Sequence, residues 1–177
     1  LWQFMYGTGK MYKLEINSFL DERRDPVKST EAAVCFLKDL YKIYEDWILV
    51  IAAYNCGPGN VNKAIRRSGS KKNYWDIYFH LPKETRGYVP AFIAAMYTFN
   101  YHKEHNIFPL ENELPTMCDT IMISDALHFE QISKLMDISV EQIRDLNPQY
   151  RSDIVPAGFG KSYALRVPYN HVGEFID

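Results

Sequence analysis

One stretch of the sequence, from Trp47 to Asn60, constrains the possible fold more than any other. It begins with a run that is apolar on every side. A run of this length is either a buried strand or a buried helix, and periodicity alone does not decide between them. The ending favours a helix, because Gly57 suits the left-handed residue just past a helix C-terminus and Pro58 suits the first turn of a following helix. We therefore predict a buried helix that stops at Gly57 and a second helix that starts at Pro58.

Tyr54 and Asn55 stand at the end of this predicted buried helix. One interpretation is that they only close the helix and satisfy their own hydrogen bonds, as Tyr and Asn near helix ends commonly do. The other is that they face a ligand beyond the helix end. The residue types alone weigh the two interpretations about equally.

Helical patterns surround this stretch on both sides. Asp25 is a suitable cap for a helix that begins at Pro26. The predicted helices cover residues 2–10, 26–45, 47–56, 58–67 and 74–79, followed by a long helix that opens at residue 82. Two of them carry an apolar stripe that we expect to be buried. The stripes consist of Val27, Thr30, Val34, Leu37, Tyr41 and Tyr44, and of Val89, Phe92, Ile93, Met96, Tyr97 and Tyr101.

The pattern changes after residues 109–118, which have the composition of a linker. We predict a strand at residues 119–123, a helix at 128–136 and a second helix opened by a capping box at Ser139. A turn at residues 154–158 and a closing strand at 163–167 follow. The predicted fold class is therefore mainly α, with a helical domain over residues 1–108 and a small βααβ module over residues 119–170.

The overall composition argues against several classes of function. The formal net charge is −2, which gives no electrostatic basis for binding nucleic acid or inserting into an anionic membrane. His102, Glu104 and His105 lie close together on a predicted helix, but nothing nearby offers further ligands. We therefore predict a solvated helix end there and no metal site. Because the sequence also lacks a nucleophile elbow and a phosphate-binding loop, we predict no cofactor.

The predicted helix ends gather Tyr, Asn, Glu and Gln side chains, which suit a hydroxyl-rich ligand such as a glycan. Cleaving a glycan requires a carboxylic acid that protonates the leaving oxygen. Glu84 stands at the start of a predicted helix, where the helix dipole favours the ionised carboxylate. We therefore expect Glu84 to be a poor general acid.

Three motifs, in this order, resemble those of the soluble lytic transglycosylase (SLT) family, whose members are lysozyme-like and related to goose-type lysozyme. The motifs are Leu1-Trp2-Gln3-Phe4-Met5, Ala53-Tyr54-Asn55-Cys56-Gly57-Pro58-Gly59 and Glu84-Thr85-Arg86-Gly87-Tyr88-Val89-Pro90. Any one of them alone is weak, but their order over residues 1–90 makes the resemblance specific. It implies a lysozyme-like fold for residues 1–108 and a peptidoglycan substrate.

The resemblance also implies which residues contact the glycan. Gln3 and Met5 would line the sugar groove, while Tyr54 and Asn55 would bond the sugar near the cleaved bond. Tyr88 would help to position the catalytic acid. Glu84 would hold the groove wall or touch the substrate. Each of these residues also has a purely structural interpretation.

In the family, the catalytic acid is a glutamate upstream of the Leu-Trp-Gln motif, and this sequence begins at that motif. The resemblance therefore implies that the acid is not in this chain, and that Glu15 and Glu22 do not replace it. In the intact enzyme the acid would protonate the oxygen between N-acetylmuramic acid and N-acetylglucosamine. It would then take a proton from the muramyl C6 hydroxyl, which closes on C1 as a 1,6-anhydro ring. No second carboxylate is needed, because the substrate supplies the nucleophile.

The C-terminal module resembles a LysM domain, which binds chains that contain N-acetylglucosamine. The resemblance runs from Asp119 to Pro168 and includes Leu146-Asn147-Pro148. It departs from the family at Ser124-Asp125-Ala126-Leu127, where Gly-Asp-Thr-Leu is usual. The module is therefore expected either to bind glycan or to serve packing.

The sequence supports three hypotheses about function, which differ in strength. The leading one is a piece of a lytic transglycosylase that acts on peptidoglycan glycan strands in the envelope of a Gram-negative bacterium. The second is a glycan-binding protein without catalysis. The third treats Ile132 to Asn147 as a DNA-binding helix-turn-helix, but Glu141, Arg144 and Asp145 give the second helix a net negative face, which opposes DNA binding.

Overall fold

The computed structural model describes residues 1–110, 114–158 and 160–173, and these fall into two compact units. Unit 1 combines Leu1–Ala33 with the described residues from 114 onward, and unit 2 is Val34–Leu110. This division groups residues 1–33 with the C-terminal residues, unlike the predicted domains 1–108 and 119–170. Those domain boundaries stay a prediction, and residues 111–113 of the predicted linker 109–118 lie outside the described residues.

Helices account for most of the first 110 residues, as the sequence predicts. The helices are α1 (Tyr6–Met11), α2 (Pro26–Tyr44), α3 (Trp47–Cys56), α4 (Pro58–Arg67), α5 (Tyr74–Ile77) and α6 (Lys83–Asn100), with a 3-10 turn at Tyr78–His80. The predicted cap of α2 is confirmed, because the Asp25 carboxylate accepts hydrogen bonds from the amides of Val27 and Lys28 at 2.8 and 2.9 Å.

Helix α3 lies at the centre of unit 2, and its prediction is confirmed. Leu49, Val50, Ala52 and Ala53 are fully buried, and burial of a side chain the size of Leu or Val contributes about 1.5–3 kcal/mol. At the C-terminal end of α3, Gly57 has a φ of 82°, which a residue with a Cβ rarely adopts, and its amide donates to the Ala53 carbonyl. This turn lets α4 begin at once with a proline.

The two predicted apolar stripes are only partly buried, which corrects the sequence analysis. In α6, Val89 is buried, whereas Phe92, Ile93, Met96, Tyr97 and Tyr101 are all more than one third exposed. In α2, the buried face is rotated away from the predicted stripe. That face holds Ser29, Ala33, Leu40 and Tyr44, while Val27, Val34 and Tyr41 are exposed. Periodicity marks a face that can be buried, but it does not supply a partner that covers the face.

The predicted helix over residues 2–10 is wrong in its first half, because α1 begins only at Tyr6. Gln3 has a φ of 52°, which breaks any helix that passes through it. The indole of Trp2 donates a 2.8 Å hydrogen bond to the Thr30 hydroxyl. The conformation of residues 1–5 thus depends on contacts with residues distant in sequence, and the helix propensity of the segment itself does not predict such contacts.

The C-terminal part of unit 1 contains the two predicted helices and the two predicted strands. Its elements are β1 (Cys118–Ile123), β2 (Leu127–His128), α7 (Phe129–Met136), α8 (Val140–Leu146), β3 (Ile154–Val155) and β4 (Tyr163–Pro168), ending in a 3-10 turn at Tyr169–His171. Strands β1 and β4 pair antiparallel, with Ile121 opposite Leu165. The predicted turn at residues 154–158 is corrected, because β3 pairs with β2 in a second small sheet. Strands of two residues are too short to show a period.

Among the described residues, every helix is too short or too polar to cross a lipid bilayer.

Two carboxylates of unit 1 make its stability depend on pH. Arg23 forms two hydrogen bonds to Asp21, at 2.9 and 2.7 Å, and these lower the pKa of Asp21 although burial opposes them. Burial alone would raise the pKa of Glu15. Contacts with Lys161, Tyr163 and Asn17 outweigh the effect of burial, so the pKa of Glu15 lies below its ordinary value.

We expect the free energy of unfolding of unit 1 to fall at acidic pH. Both pKa values lie below the ordinary values of 3.8 and 4.5, so the ionised carboxylates favour the folded state. This contribution is complete above the ordinary pKa values and is lost as the pH falls through the folded-state values. Urea unfolding at a series of pH values measures it. Asp21→Asn should flatten the pH dependence and the exposed Glu31→Gln should not; equal profiles for the two variants would contradict the assignment.

Candidate functional site

The C-terminal end of α3 and the first turn of α6 meet in unit 2, and their polar side chains form one hydrogen-bonded cluster. The Thr85 hydroxyl donates to Asn55 Oδ1 at 2.7 Å. Asn55 Nδ2 in turn donates to Glu84 Oε1 at 3.3 Å. The two predicted glycan-contacting residues Asn55 and Glu84 therefore come together, and Thr85 sets which side of the Asn55 amide faces Glu84.

The two predicted phenols, Tyr54 and Tyr88, belong to the same two helices. The Tyr54 ring is half-buried and lies 5.5 Å from the Phe36 ring between centroids. Burial raises the pKa of Tyr54 to about 12, with a smaller contribution from Tyr88. Tyr54 is therefore a neutral hydroxyl at neutral pH, able to donate and accept hydrogen bonds. Tyr88 is 40% exposed, so its ring is accessible from solvent.

Gln3 and Met5 lie in unit 1, so the structure describes them apart from the other four predicted residues. Gln3 borders an open cavity of about 670 Å³. The other residues lining it are Leu1, Phe4, Asp21, Arg23, Arg24, Pro26, Asp145 and Pro148. Met5 is 77% exposed. A single groove that joins all six residues stays a prediction.

Thr85 is the residue of this cluster that the sequence analysis did not single out. It is fully buried, which is unusual for a threonine unless its hydroxyl is hydrogen bonded. Besides Asn55, it contacts the Cys56 thiol, whose pKa is raised by burial and lowered in part by the Thr85 hydrogen bond. The only sequence signal for Thr85 is its place between Glu84 and Arg86 in the third motif.

Helices α3 and α6 can together offer a glycan an amide, two phenols and a carboxylate. Glu84 is exposed in the first turn of α6. Within residues 1–110, 114–158 and 160–173, no three His, Cys, Asp or Glu side chains gather closely enough to hold a metal ion. His105 instead pairs with the Tyr97 hydroxyl at 3.1 Å.

Comparisons with known proteins bear on both parts of the chain. Residues 1–77 match the family described as the transglycosylase SLT domain. Residues 117–177 match the family described as the LysM-like domain of lytic transglycosylase MltD. Both matches agree with the resemblances inferred from the motifs, including a lysozyme-like helical part followed by a LysM-like module.

Three curated proteins illustrate the similarity. The chain is 30% identical, over 98% of its length, to membrane-bound lytic murein transglycosylase D of Escherichia coli (strain K12) and of Escherichia coli O6:H1. It spans 38% of the length of each of these relatives. A protein named for tributyltin chloride resistance in Alteromonas sp. (strain M-1) is 39% identical over 66% of this chain and 56% of its own length. These similarities do not favour the alternative of a glycan-binding protein without catalysis.

We expect Thr85→Val to release the Asn55 amide and to destabilise unit 2 by about 0.5–1.5 kcal/mol, because the half-buried Asn55 oxygen loses its hydrogen-bond donor. Thr85→Ser is the matched control, since it keeps the hydroxyl and removes one methyl group. The Asn55 side-chain amide resonances and their hydrogen exchange report the orientation directly. If the Val and Ser variants changed these resonances equally, the hydroxyl would not be what orients Asn55.

Proposed function

Because residues 1–77 match the transglycosylase SLT domain family, we propose that this chain is part of a peptidoglycan lytic transglycosylase. The parent protein cleaves the β-1,4 bond between N-acetylmuramic acid and N-acetylglucosamine and leaves a 1,6-anhydromuramyl end. The observation that carries this proposal is the cluster in which Thr85 and Glu84, from one family motif, bond Asn55, from another.

Each of the predicted site residues has a part in binding the glycan. Asn55 Nδ2 already donates to Glu84, and a sugar hydroxyl can bridge the two because a hydroxyl both donates and accepts. The neutral phenol of Tyr54 bonds the sugar near the cleaved bond. Tyr88 helps to position the general acid of the parent protein. Gln3 and Met5 contribute the remaining contacts along the glycan.

The general acid and base of the reaction is a glutamate that lies outside this chain, so none of the residues named here is assigned as catalytic. Glu84 is not assigned that role, because its carboxylate is exposed to solvent and accepts a hydrogen bond from Asn55 Nδ2, whereas a general acid must donate a proton to the leaving oxygen. The acid protonates the bridging oxygen and then accepts the C6 hydroxyl proton as the anhydro ring closes. Neither a metal nor a cofactor enters this scheme.

The setting follows from the substrate. Peptidoglycan lies in the cell envelope, and the E. coli relatives are named as membrane-bound murein transglycosylases. We therefore place the parent protein in the periplasm of a Gram-negative bacterium, with anchoring to the outer membrane through a part outside this chain. Its partner is the glycan strand, and no step involves nucleic acid.

The first prediction concerns catalysis. Purified sacculi incubated with this chain alone should release no 1,6-anhydromuropeptides, because the general acid is outside the chain. Mass spectrometry of the soluble fraction detects such products. A parent chain that contains the upstream glutamate is the positive control. Release of anhydro products by the 177-residue chain would refute the assignment of the acid.

The second prediction concerns binding. Asn55→Ala should weaken retention of the chain on insoluble peptidoglycan by roughly 2- to 13-fold, the effect of one hydrogen bond of about 0.5–1.5 kcal/mol. Co-sedimentation at a series of peptidoglycan concentrations measures the change in affinity.

Asn100→Ala is the matched control, because Asn100 is exposed and bonds the Met96 carbonyl within its own helix. It should leave retention unchanged. Equal retention of Asn55→Ala and wild type would remove Asn55 from the binding site. Retention with no cleavage by the parent chain would instead favour a glycan-binding protein without catalysis.

A further inference from the structure

A short segment before α2, residues 14–25, lies against the C-terminal part of unit 1. We name residues 14–25 the clamp segment, and the described residues 114–158 and 160–173 the C-terminal module. Leu20 of the clamp segment is 2% exposed and belongs to the hydrophobic core of the module. The core residues it joins include Phe129, Ile132 and Leu165. The module core therefore contains a side chain supplied by the segment.

The backbone of the clamp segment is also bonded to the module. Leu20 and Tyr150 form an antiparallel bridge. On one side of it the Asp21 amide donates to the Gln149 carbonyl at 2.8 Å, and on the other the Arg151 amide donates to the Phe19 carbonyl at 2.8 Å. The loop after α8 thus has backbone groups already satisfied by residues of the same chain.

Charges on the two surfaces are complementary. Glu15 receives two hydrogen bonds of 2.7 Å from Lys161 and one of 3.2 Å from the Tyr163 hydroxyl. The ion-pair distances are 3.7 Å from Asp21 to Arg151 and 3.7 Å from Asp25 to Arg166. Three carboxylates of the segment therefore face three cations of the module. Opposite charges arranged in register specify a partner and its orientation.

The clamp segment reaches the first motif through Arg23. Its Nε and Nη2 donate to Asp21, while its Nη1 donates to the Phe4 carbonyl at 3.1 Å. Gly9 of α1 lies against the Arg23 side chain so closely that a Cβ at residue 9 would come within 3.1 Å of Arg23 Cδ. A series of contacts therefore links the module, through Asp21 and Arg23, to Phe4, the residue between Gln3 and Met5.

From these contacts we infer that the C-terminal module is an intramolecular clamp, whose bound partner is the clamp segment of its own chain and whose role is to position the Leu1–Met5 motif. Arg23 is the positioning residue that transmits this contact. The importance of Gln3 and Met5 for glycan binding rests on the proposed function, whereas the clamp itself does not. The inference also gives a role to a LysM-like module that lacks the usual Gly-Asp-Thr-Leu sequence.

The first test removes the hydrophobic contact in the full chain. In Leu20→Ala, backbone amides of residues 1–25 should exchange with deuterium about 30-fold faster or more, because such a buried truncation shifts a local equilibrium by at least that factor. Hydrogen-exchange mass spectrometry measures this peptide by peptide. Phe19→Ala is the matched control, since Phe19 is the adjacent residue and half-exposed, and should change exchange less than twofold.

The second test leaves the hydrophobic core intact, in case Leu20→Ala loosens the whole module. Glu15→Lys and Lys161→Glu should each speed exchange at residues 14–22 by up to about fivefold, the range for an exposed pair. The double variant reverses both charges and should return exchange to within twofold of wild type. A double variant that exchanges as fast as the single variants would overturn the clamp, as would unchanged exchange of residues 1–25 in Leu20→Ala.

Peptidoglycan retention of the same variants separates the clamp from the proposed function. Loss of exchange protection in Leu20→Ala together with weaker retention supports both. Loss of protection with wild-type retention supports the clamp and contradicts the placement of Gln3 and Met5 in the glycan site.

Discussion

Burial of α3 on most of its surface is the constraint on which the arrangement of unit 2 depends. A helix with no polar side chain over its first seven residues can be stable in water only when other elements cover it. Leu49, Val50, Ala52 and Ala53 have no exposed surface, so α3 has little freedom to shift or rotate. Its last turn then presents Tyr54 and Asn55 at a fixed position, where α6 supplies Thr85 and Glu84. The polar cluster is as rigid as the apolar helix that carries it.

Unit 1 obtains its rigidity differently. Its N-terminal 33 residues contain one short helix and the beginning of α2, which is too little apolar surface for a core of their own. They contribute Leu20 to the core of the C-terminal module, and Asp21 and Arg23 extend the contact to Phe4. An almost completely buried carboxylate such as Asp21 is tolerated because Arg23 pairs with it in a bidentate geometry. The first motif therefore depends on sequence more than 100 residues away.

The sequence predicts the elements whose signals are local. The α3–α4 junction follows from Gly57 and Pro58, and the start of α2 follows from Asp25. The six site residues come from motif resemblance, and among them Asn55 and Glu84 bond each other directly. What the sequence does not predict depends on partners distant along the chain. Thr85 has no local signal for its buried hydrogen bond, β2 and β3 are too short for a period, and the apolar residues of α6 after Val89 have a helical pattern without a covering surface.

The same reasoning explains why a module that resembles a glycan-binding domain has a structural role here. A small module of about fifty residues buries limited apolar area, so an additional side chain such as Leu20 is a substantial part of its core. Once that side chain comes from the segment that holds the first motif, the stability of the module and the geometry of the motif are coupled. The positions of Gln3 and Met5 then depend on Leu20, Asp21 and Arg23, whether or not the module itself binds glycan.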